Sequence, residues 1–406
     1  MKLKIIFTLN LLLILMLSLP GTAGCEESVT LDALLKRARE NNPEIKSAYH
    51  NYTSRKNNIT AARSWEYPQF GYENTRWTDK TEDMFSVSQM FSFPGKLSLK
   101  GRVAESYAGI AEQELNSKII RVASMIKRNF WEYWLIDKTI EVYQENIELM
   151  NRFLSIAKSR YATGIVTQAD VLKANTELAK MESMLVEIEQ ERDSIQSELN
   201  ALVNDRPDTP LGKPVRPVSP DLKYKYGELE NIALKNNQLI KSREFSYQRS
   251  IYGLDLARRE WFPDIMGSVK SGSMSNTYMA GVSLPLYFWK QGSIVRTMKS
   301  EKEAGEWELA AAKVDVLRDI RDLYTKYNAR QKSVGIYEAA VIPLAKQTLE
   351  ITESSYRTGK NNFLDLLDSQ KRYLEYNLEY YRLVAEEGIA LSDLERVAGV
   401  ELGKPE

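Results

Sequence analysis

The chain has almost none of the residues that enzymes use for chemistry. Its 406 residues contain one histidine, His50, and one cysteine, Cys25. A single histidine excludes a histidine-based triad or a multi-histidine metal site within one chain. A single cysteine excludes an intrachain disulfide. No GxGxxG or other phosphate-cradling glycine loop occurs. Carboxylates are plentiful, but their spacing is that of solvated helix faces. No catalytic set and no cofactor are therefore expected. An excess of one charge is also missing: 55 Lys and Arg face 55 Asp and Glu, so nothing points to nucleic acid. Mean hydropathy is −0.41, and past the N-terminus no apolar stretch approaches the ~20 residues of a membrane helix. Any membrane crossing would have to use strands.

What is present starts at the N-terminus. Lys2 and Lys4 precede an apolar run from Ile5 to Leu19, followed by the small residues Gly21, Thr22, Ala23 and Gly24. This is the layout of a cleaved export signal over residues 1–24. Ala23-Gly24-Cys25 looks like the end of a bacterial lipobox, which would make Cys25 a lipidation site. Thr22 departs from that pattern, and an ordinary cleavage near Ala23 with a bystander cysteine is the alternative.

The rest of the chain is a duplication. At an offset of 195 residues, Asn41-Asn42 matches Asn236-Asn237, Pro68 matches Pro263 and Val87-Ser88 matches Val282-Ser283. At the same offset Tyr161, Thr163-Gly164, Asp170 and Leu172 match Tyr356, Thr358-Gly359, Asp365 and Leu367. The halves span 25–205 and 223–406. The segment 206–222 between them holds Pro207, Pro210, Pro214, Pro217 and Pro220. Proline removes amide donors and fixes φ, so this is an extended linker.

Each half follows one plan. A helix is expected from Leu31 to about Trp65, and again from Tyr226 to about Trp261, stopped by Pro68 and Pro263. Two strand-like segments follow in each half. Phe85, Val87, Gln89, Phe91 and Phe93 alternate with small or polar residues, as do Ile265 to Ser271 and Tyr278 to Leu286. Gln69 to Trp77 is more polar. Period-2 alternation over about ten residues fits a membrane barrel strand, and it also fits a soluble hairpin with one buried face. Trp77, Phe91, Phe93, Tyr287, Phe288 and Trp289 near the strand ends would suit an aromatic girdle. Two long helices then complete each half. No proline interrupts the chain between Pro94 and Pro207, and Leu97 to Arg160 would extend about 95 Å at 1.5 Å per residue. Helices of that length must pair as coiled coils or join a larger wall. Gly164 and Gly359 break the two pairs, and Pro343 is expected to bend the second.

Four strands cannot close a membrane barrel, since the smallest such barrels have about eight. Several chains must then pool strands, if the strands lie in a membrane at all. At this point the plan resembles the TolC-like outer-membrane efflux protein family over essentially the whole chain beyond the signal. The resemblance is carried by Asn41-Asn42-Pro43, by Arg160-Tyr161-Ala162-Thr163-Gly164-Ile165 running on to Asp170-Val171-Leu172, and by Tyr356-Arg357-Thr358-Gly359 with Asp365-Leu366-Leu367.

The resemblance implies a mainly α fold with a small β part. Duplicated long-helix coiled-coil hairpins would form an α-barrel, and four strands per chain would contribute to an oligomeric transmembrane β-barrel. It implies a homotrimer in the outer membrane that extends into the periplasm. Its partners would be outer-membrane lipid, a periplasmic adaptor and an inner-membrane pump of the resistance-nodulation-division type. Tyr161, Thr163, Gly164 and Ile165, with Tyr356, Thr358 and Gly359, would form the adaptor-docking tip. Asp365 and Asp368, three apart on one helix face, would form acidic gate rings, with Arg357 as a substitute for the family's basic gate residue because Asn361 stands in its place. The short segment Phe93-Pro94-Gly95-Lys96 resembles the heavy-metal-cation branch. A type I protein-secretion duct and a soluble periplasmic coiled-coil scaffold or adaptor remain the alternatives.

Overall fold

A computed structural model describes residues 28–403 except 78–79, 218–221 and 274. The signal segment, Cys25 and Pro220 lie outside the described residues. The first half comprises α1 (Leu31–Asn41), α2 (Pro43–Arg63), β1 (Gln69–Trp77), β2 (Lys80–Phe91), α3 (Lys96–Ala162) and α4 (Gln168–Leu202). The second comprises α5 (Tyr226–Asn236), α6 (Gln238–Arg259), β3 (Asp264–Gly272), β4 (Asn276–Ser283), α7 (Phe288–Ile336), a π-helical turn (Tyr337–Val341), α8 (Ile342–Arg357) and α9 (Phe363–Ala398).

The expected single helices from Leu31 and from Tyr226 are each broken in two, at Asn42 and at Asn237. Both asparagines adopt extended ψ, near 125° and 127°. Each side-chain oxygen caps the following helix, accepting from backbone N–H groups at 2.9 and 3.2 Å. Each side-chain amide donates to the end of the return helix of its own half: Asn42 to Leu202 O at 2.9 Å and Asn237 to Val397 O at 2.7 Å. The acceptors are themselves 195 residues apart. The asparagine cap satisfies orphan amides at a helix start, and in both halves it also ties that start to a second helix.

Helix α3 is the spine. It packs against α2 and α6 toward the sheet, and against α4 and α9 toward the other end. Val122, Ile126 and Phe130 are buried with Leu34, Ala38 and Leu199. Farther along, Met150, Phe153, Leu154 and Ala157 are buried with residues of α4, α8 and α9. Between these clusters Trp131 and Trp134 meet edge to face at 5.6 Å against Val384 and Ala385. Trp131 lies so close to α9 that a Cβ on Gly388 would stand 2.1 Å from its ring. Pro343 has no N–H for the carbonyl one turn back, and the helix widens into the π turn just before it.

The four strands form one antiparallel sheet in the order β1-β2-β3-β4. Its pairing crosses the two halves, with Val87 opposite Val269 and Phe91 opposite Ile265. The strands expected to reach Phe93 and Leu286 stop earlier. Phe93 instead stacks on Phe262 at 4.6 Å. Leu284 and Leu286 fall beyond Ser283, because Pro285 cannot donate to a ladder. Lys96 locks the junction below the sheet. Its ammonium is buried and donates to Phe262 O and to Asp264 Oδ1, each at 2.8 Å. Asp264 Oδ1 also accepts from Phe93 N–H at 2.7 Å.

Gly388→Ala is expected to lower stability by about 1–3 kcal/mol through overpacking against Trp131. Gly335→Ala, which meets nothing within 4 Å, should be neutral or stabilising by about 0.5–1 kcal/mol. Thermal unfolding of the two variants in detergent checks the contrast.

Candidate functional site

The α3–α4 turn and the α8–α9 turn lie side by side at the end away from the sheet. Their geometry repeats. Gly164 and Gly359 adopt φ of 73° and 82°, a left-handed conformation that glycine takes without strain. Ile165 N–H bonds Arg160 O at 3.0 Å and Lys360 N–H bonds Ser355 O at 2.9 Å. Gly164 N–H bonds Tyr161 O at 2.9 Å and Gly359 N–H bonds Tyr356 O at 3.1 Å. These are Schellman endings that satisfy the last carbonyls of a helix. The Thr163 and Thr358 hydroxyls donate back to carbonyls one turn earlier in α3 and α8.

Most of the expected docking residues lie on this surface. Tyr161 is 47% exposed and Ile165 62%; Thr163, Gly164, Thr358 and Gly359 are exposed. Tyr356 is different, being 1% exposed. Its ring meets Phe363 edge to face at 5.6 Å, and the Arg160 guanidinium lies 4.6 Å over it. Arg160 also donates to the Tyr356 carbonyl, so one cation ties the two turns together. In the sequence Arg160 stands out only as the first residue of the Arg160–Ile165 motif. Its counterpart at the 195-residue offset is Ser355, so symmetry gave no signal for the contact. Burial pushes the Tyr356 phenol above its ordinary pKa, with Asp170 adding to the effect and Arg160 opposing it. The hydroxyl is buried without a hydrogen-bond partner among the described residues.

The acidic pair sits on the first turns of α9, exposed. Asn362 caps that helix by accepting from Asp365 N–H at 3.0 Å. Asp368 bonds Arg372, one turn on, at 2.9 Å, so Arg372 is the cation this carboxylate meets. Arg357 is exposed at the last turn of α8. Lys371 bridges α9 to Glu177 of α4 at 3.0 Å. Deeper in the wall the Gln370 amide donates to Asn146 Oδ1 at 3.0 Å in a fully buried contact. Among the described residues no group of three or more His, Cys, Asp or Glu is placed to hold a metal. His50 is exposed.

At the opposite end the sheet presents its apolar face outward. One cross-strand row runs Phe70, Val87, Val269, Tyr278 and another Phe91, Ile265, Val282. All of these side chains are exposed, so no described part of the chain covers the face, as a soluble hairpin would require. The other face carries rows such as Gly71, Ser86, Lys270 and Thr277, with Lys270 paired to Glu73 at 3.0 Å. At about 3.3 Å per residue, strands of 8 to 12 residues reach across hydrocarbon when moderately tilted. Exposed aromatics collar the sheet where it meets the helices. Trp65 touches Phe91, Trp261 stacks on Phe288 at 6.0 Å and Tyr287 meets Trp289 at 5.5 Å. No described helix is long and apolar enough to cross a membrane.

The family model described as outer membrane efflux protein matches residues 34–205 and again 229–400, two segments at the same offset of 195. The chain belongs to the outer membrane efflux protein family. It is 24% identical over 390 residues to the cobalt-zinc-cadmium resistance protein CzcC of Cupriavidus metallidurans, covering 91% of this chain and 90% of that protein. It is 23% identical to the outer membrane protein TolC of Escherichia coli, covering 87% and 78%. Its fold matches the outer membrane protein VceC of Vibrio cholerae with a TM-score of 0.78 at 18% identity, over 92% and 96% of the two chains. The protein is an outer-membrane channel subunit of a tripartite efflux system and extends into the periplasm. Channels of this family are homotrimers that work with an adaptor and an inner-membrane pump.

Tyr356→Phe removes a buried hydroxyl that bonds no described group, so stability should be unchanged or raised. Arg160→Ala removes both the ring contact and the bond to the Tyr356 carbonyl, and is expected to cost about 1–2 kcal/mol. Denaturant unfolding of both variants tests this, and equal destabilisation by the two would contradict it.

Proposed function

We propose that three copies of this chain close one continuous duct, with the sheets pooled into a twelve-stranded barrel and the helices into a tube. The observation that carries this is the sheet itself, whose β1 and β4 edges are open while its apolar face is exposed. Lipid tolerates a strand only in a closed barrel. The helical wall has matching open edges. On α4, Leu172 and Val186 are more than half exposed and two heptads apart. On α7 and α8, Trp307 and Val314, then Leu344 and Ile351, lie one heptad apart. Heptad stripes of this kind are coiled-coil seams, and here they await the neighbouring copy.

The repeats 25–205 and 223–406, joined by the linker 206–222, are then two unequal staves of one wall. The periplasmic adaptor docks on Tyr161, Thr163, Gly164, Ile165, Thr358 and Gly359, with Tyr356 holding that surface from beneath. Asp365 and Asp368 supply the acidic rings of the gate, and the pump is of the resistance-nodulation-division type. Residues 1–24 direct export, and Cys25 carries the lipid anchor. Phe93-Pro94-Gly95-Lys96 bears on wall construction, since Lys96 is engaged by Asp264 and Phe262. The link to metal resistance rests on the similarity to CzcC, which is named for cobalt, zinc and cadmium.

Light scattering in detergent should return the mass of three chains, and mass spectrometry of the same sample should find lipid on Cys25. A soluble monomer without detergent would sink the proposal. Val186→Glu combined with Leu344→Glu should dissociate the ring. Ile165→Glu should leave the trimer intact and weaken adaptor binding in a pull-down by about tenfold, since it desolvates a charge at the contact.

A further inference from the structure

A broad groove lies where α3 passes between α2 and α6. Helix α3 packs against both, and side chains of all three line a hollow of about 1290 Å³. Its two walls are equivalent stretches of the two halves. Ser47 on one and Ser242 and Ser246 on the other keep it open. Five cationic side chains line it, namely Arg55, Lys118, Arg121, Arg243 and Arg249, against two carboxylates, Glu44 and Glu114.

The pairing leaves cations in excess. Glu44 serves both Lys118, at 3.0 Å, and Arg121. Arg243 turns to Glu308 at 3.0 Å. Arg55 and Arg249 meet no carboxylate among the described residues. Each lies instead over the ring of Tyr107, at 5.7 and 5.0 Å. A ring face steadies a guanidinium without occupying its N–H fork, so both forks stay available. The Glu44 carboxyl is held below its ordinary pKa, chiefly by the Lys118 hydrogen bond, against burial and with help from the Arg121 charge.

We propose that this groove binds a dissolved multivalent oxyanion, one bearing several phosphate or carboxylate groups, and that in the closed ring it forms a cationic belt in the lumen. The belt rests on the ring proposed above. The groove opens over one face of α3, flanked by α2 and α6, and the belt requires that face to line the lumen of the closed ring. Guanidinium forks match paired oxygens of phosphate and carboxylate, and rings of Arg and Lys favour anions in a pore. Lipid headgroups are too far away to fill the site. Arg55 lies about 12 Å of helix before Arg63, and the chain from Ser64 to Pro68 separates that point from β1.

The test adds inorganic pyrophosphate from the strand side to channels in a planar bilayer. Saturable block of the current is expected. Arg55→Gln with Arg249→Gln should raise the half-blocking concentration by about tenfold or more, the scale of one lost charge-assisted bond. Ser242→Glu, which adds a carboxylate without touching either arginine, should do the same. A conducting channel that pyrophosphate does not block, or one blocked equally in all variants, overturns the belt and leaves the ring standing. Absence of any current counts against the ring and the belt together. Calorimetry on the detergent-solubilised protein then decides the groove: pyrophosphate binding lost in the double variant upholds it, and no binding by the unaltered protein overturns it.

Discussion

Backbone hydrogen bonding at the sheet edges governs everything else in this molecule. An unpaired N–H or C=O in hydrocarbon costs several kcal/mol. The described residues of one chain form four strands, and the outer edges of β1 and β4 have no strand partner among them. A sheet of this kind in a membrane therefore closes only with strands from further chains. The exposed rows through Val87, Val269 and Ile265 make the same demand, since only lipid covers an apolar face that the helices leave bare.

The helices inherit the constraint. A wall one helix thick cannot bury its members on all sides, so its hydrophobic contacts are local. They form separate clusters along α3 instead of one core. Polar groups then hold the clusters in register. Asn42 and Asn237 each tie the start of a helix to the end of another, Lys96 ties the strand–helix junction to Asp264, and Arg160 ties one tip to the other. The first pair follows the duplication. Lys96 and Arg160 do not, because their counterparts at the same offset are Gln291 and Ser355. The two halves share a plan, and single-copy contacts make them unequal parts.

The pattern was legible where it is periodic or punctuated. The glycine turns, the strand alternation and the duplication all showed in the residues, because each reflects a requirement on φ, on facing or on order along the chain. What escaped was set by partners distant in the chain. The breaks at Asn42 and Asn237 looked like continuous helix, since Leu31 to Ile45 keeps a helical spacing of apolar residues across the cap. Tyr356 looked like a surface residue by analogy with Tyr161. Only the packing of Phe363 and Arg160 over it removes it from solvent. Asp365 and Asp368 do share an exposed face, but the cation beside Asp368 is Arg372, within the same helix.

The sequence by itself determined the two-fold plan and the poverty of catalytic groups, because these depend on composition and on order along the chain. Tertiary structure alone decided which apolar face stays uncovered, which glycine must remain small beside Trp131, and how α2, α3 and α6 gather arginines from two repeats around Tyr107. Those outcomes depend on residues scores of positions apart meeting in space, and no local spacing encodes that.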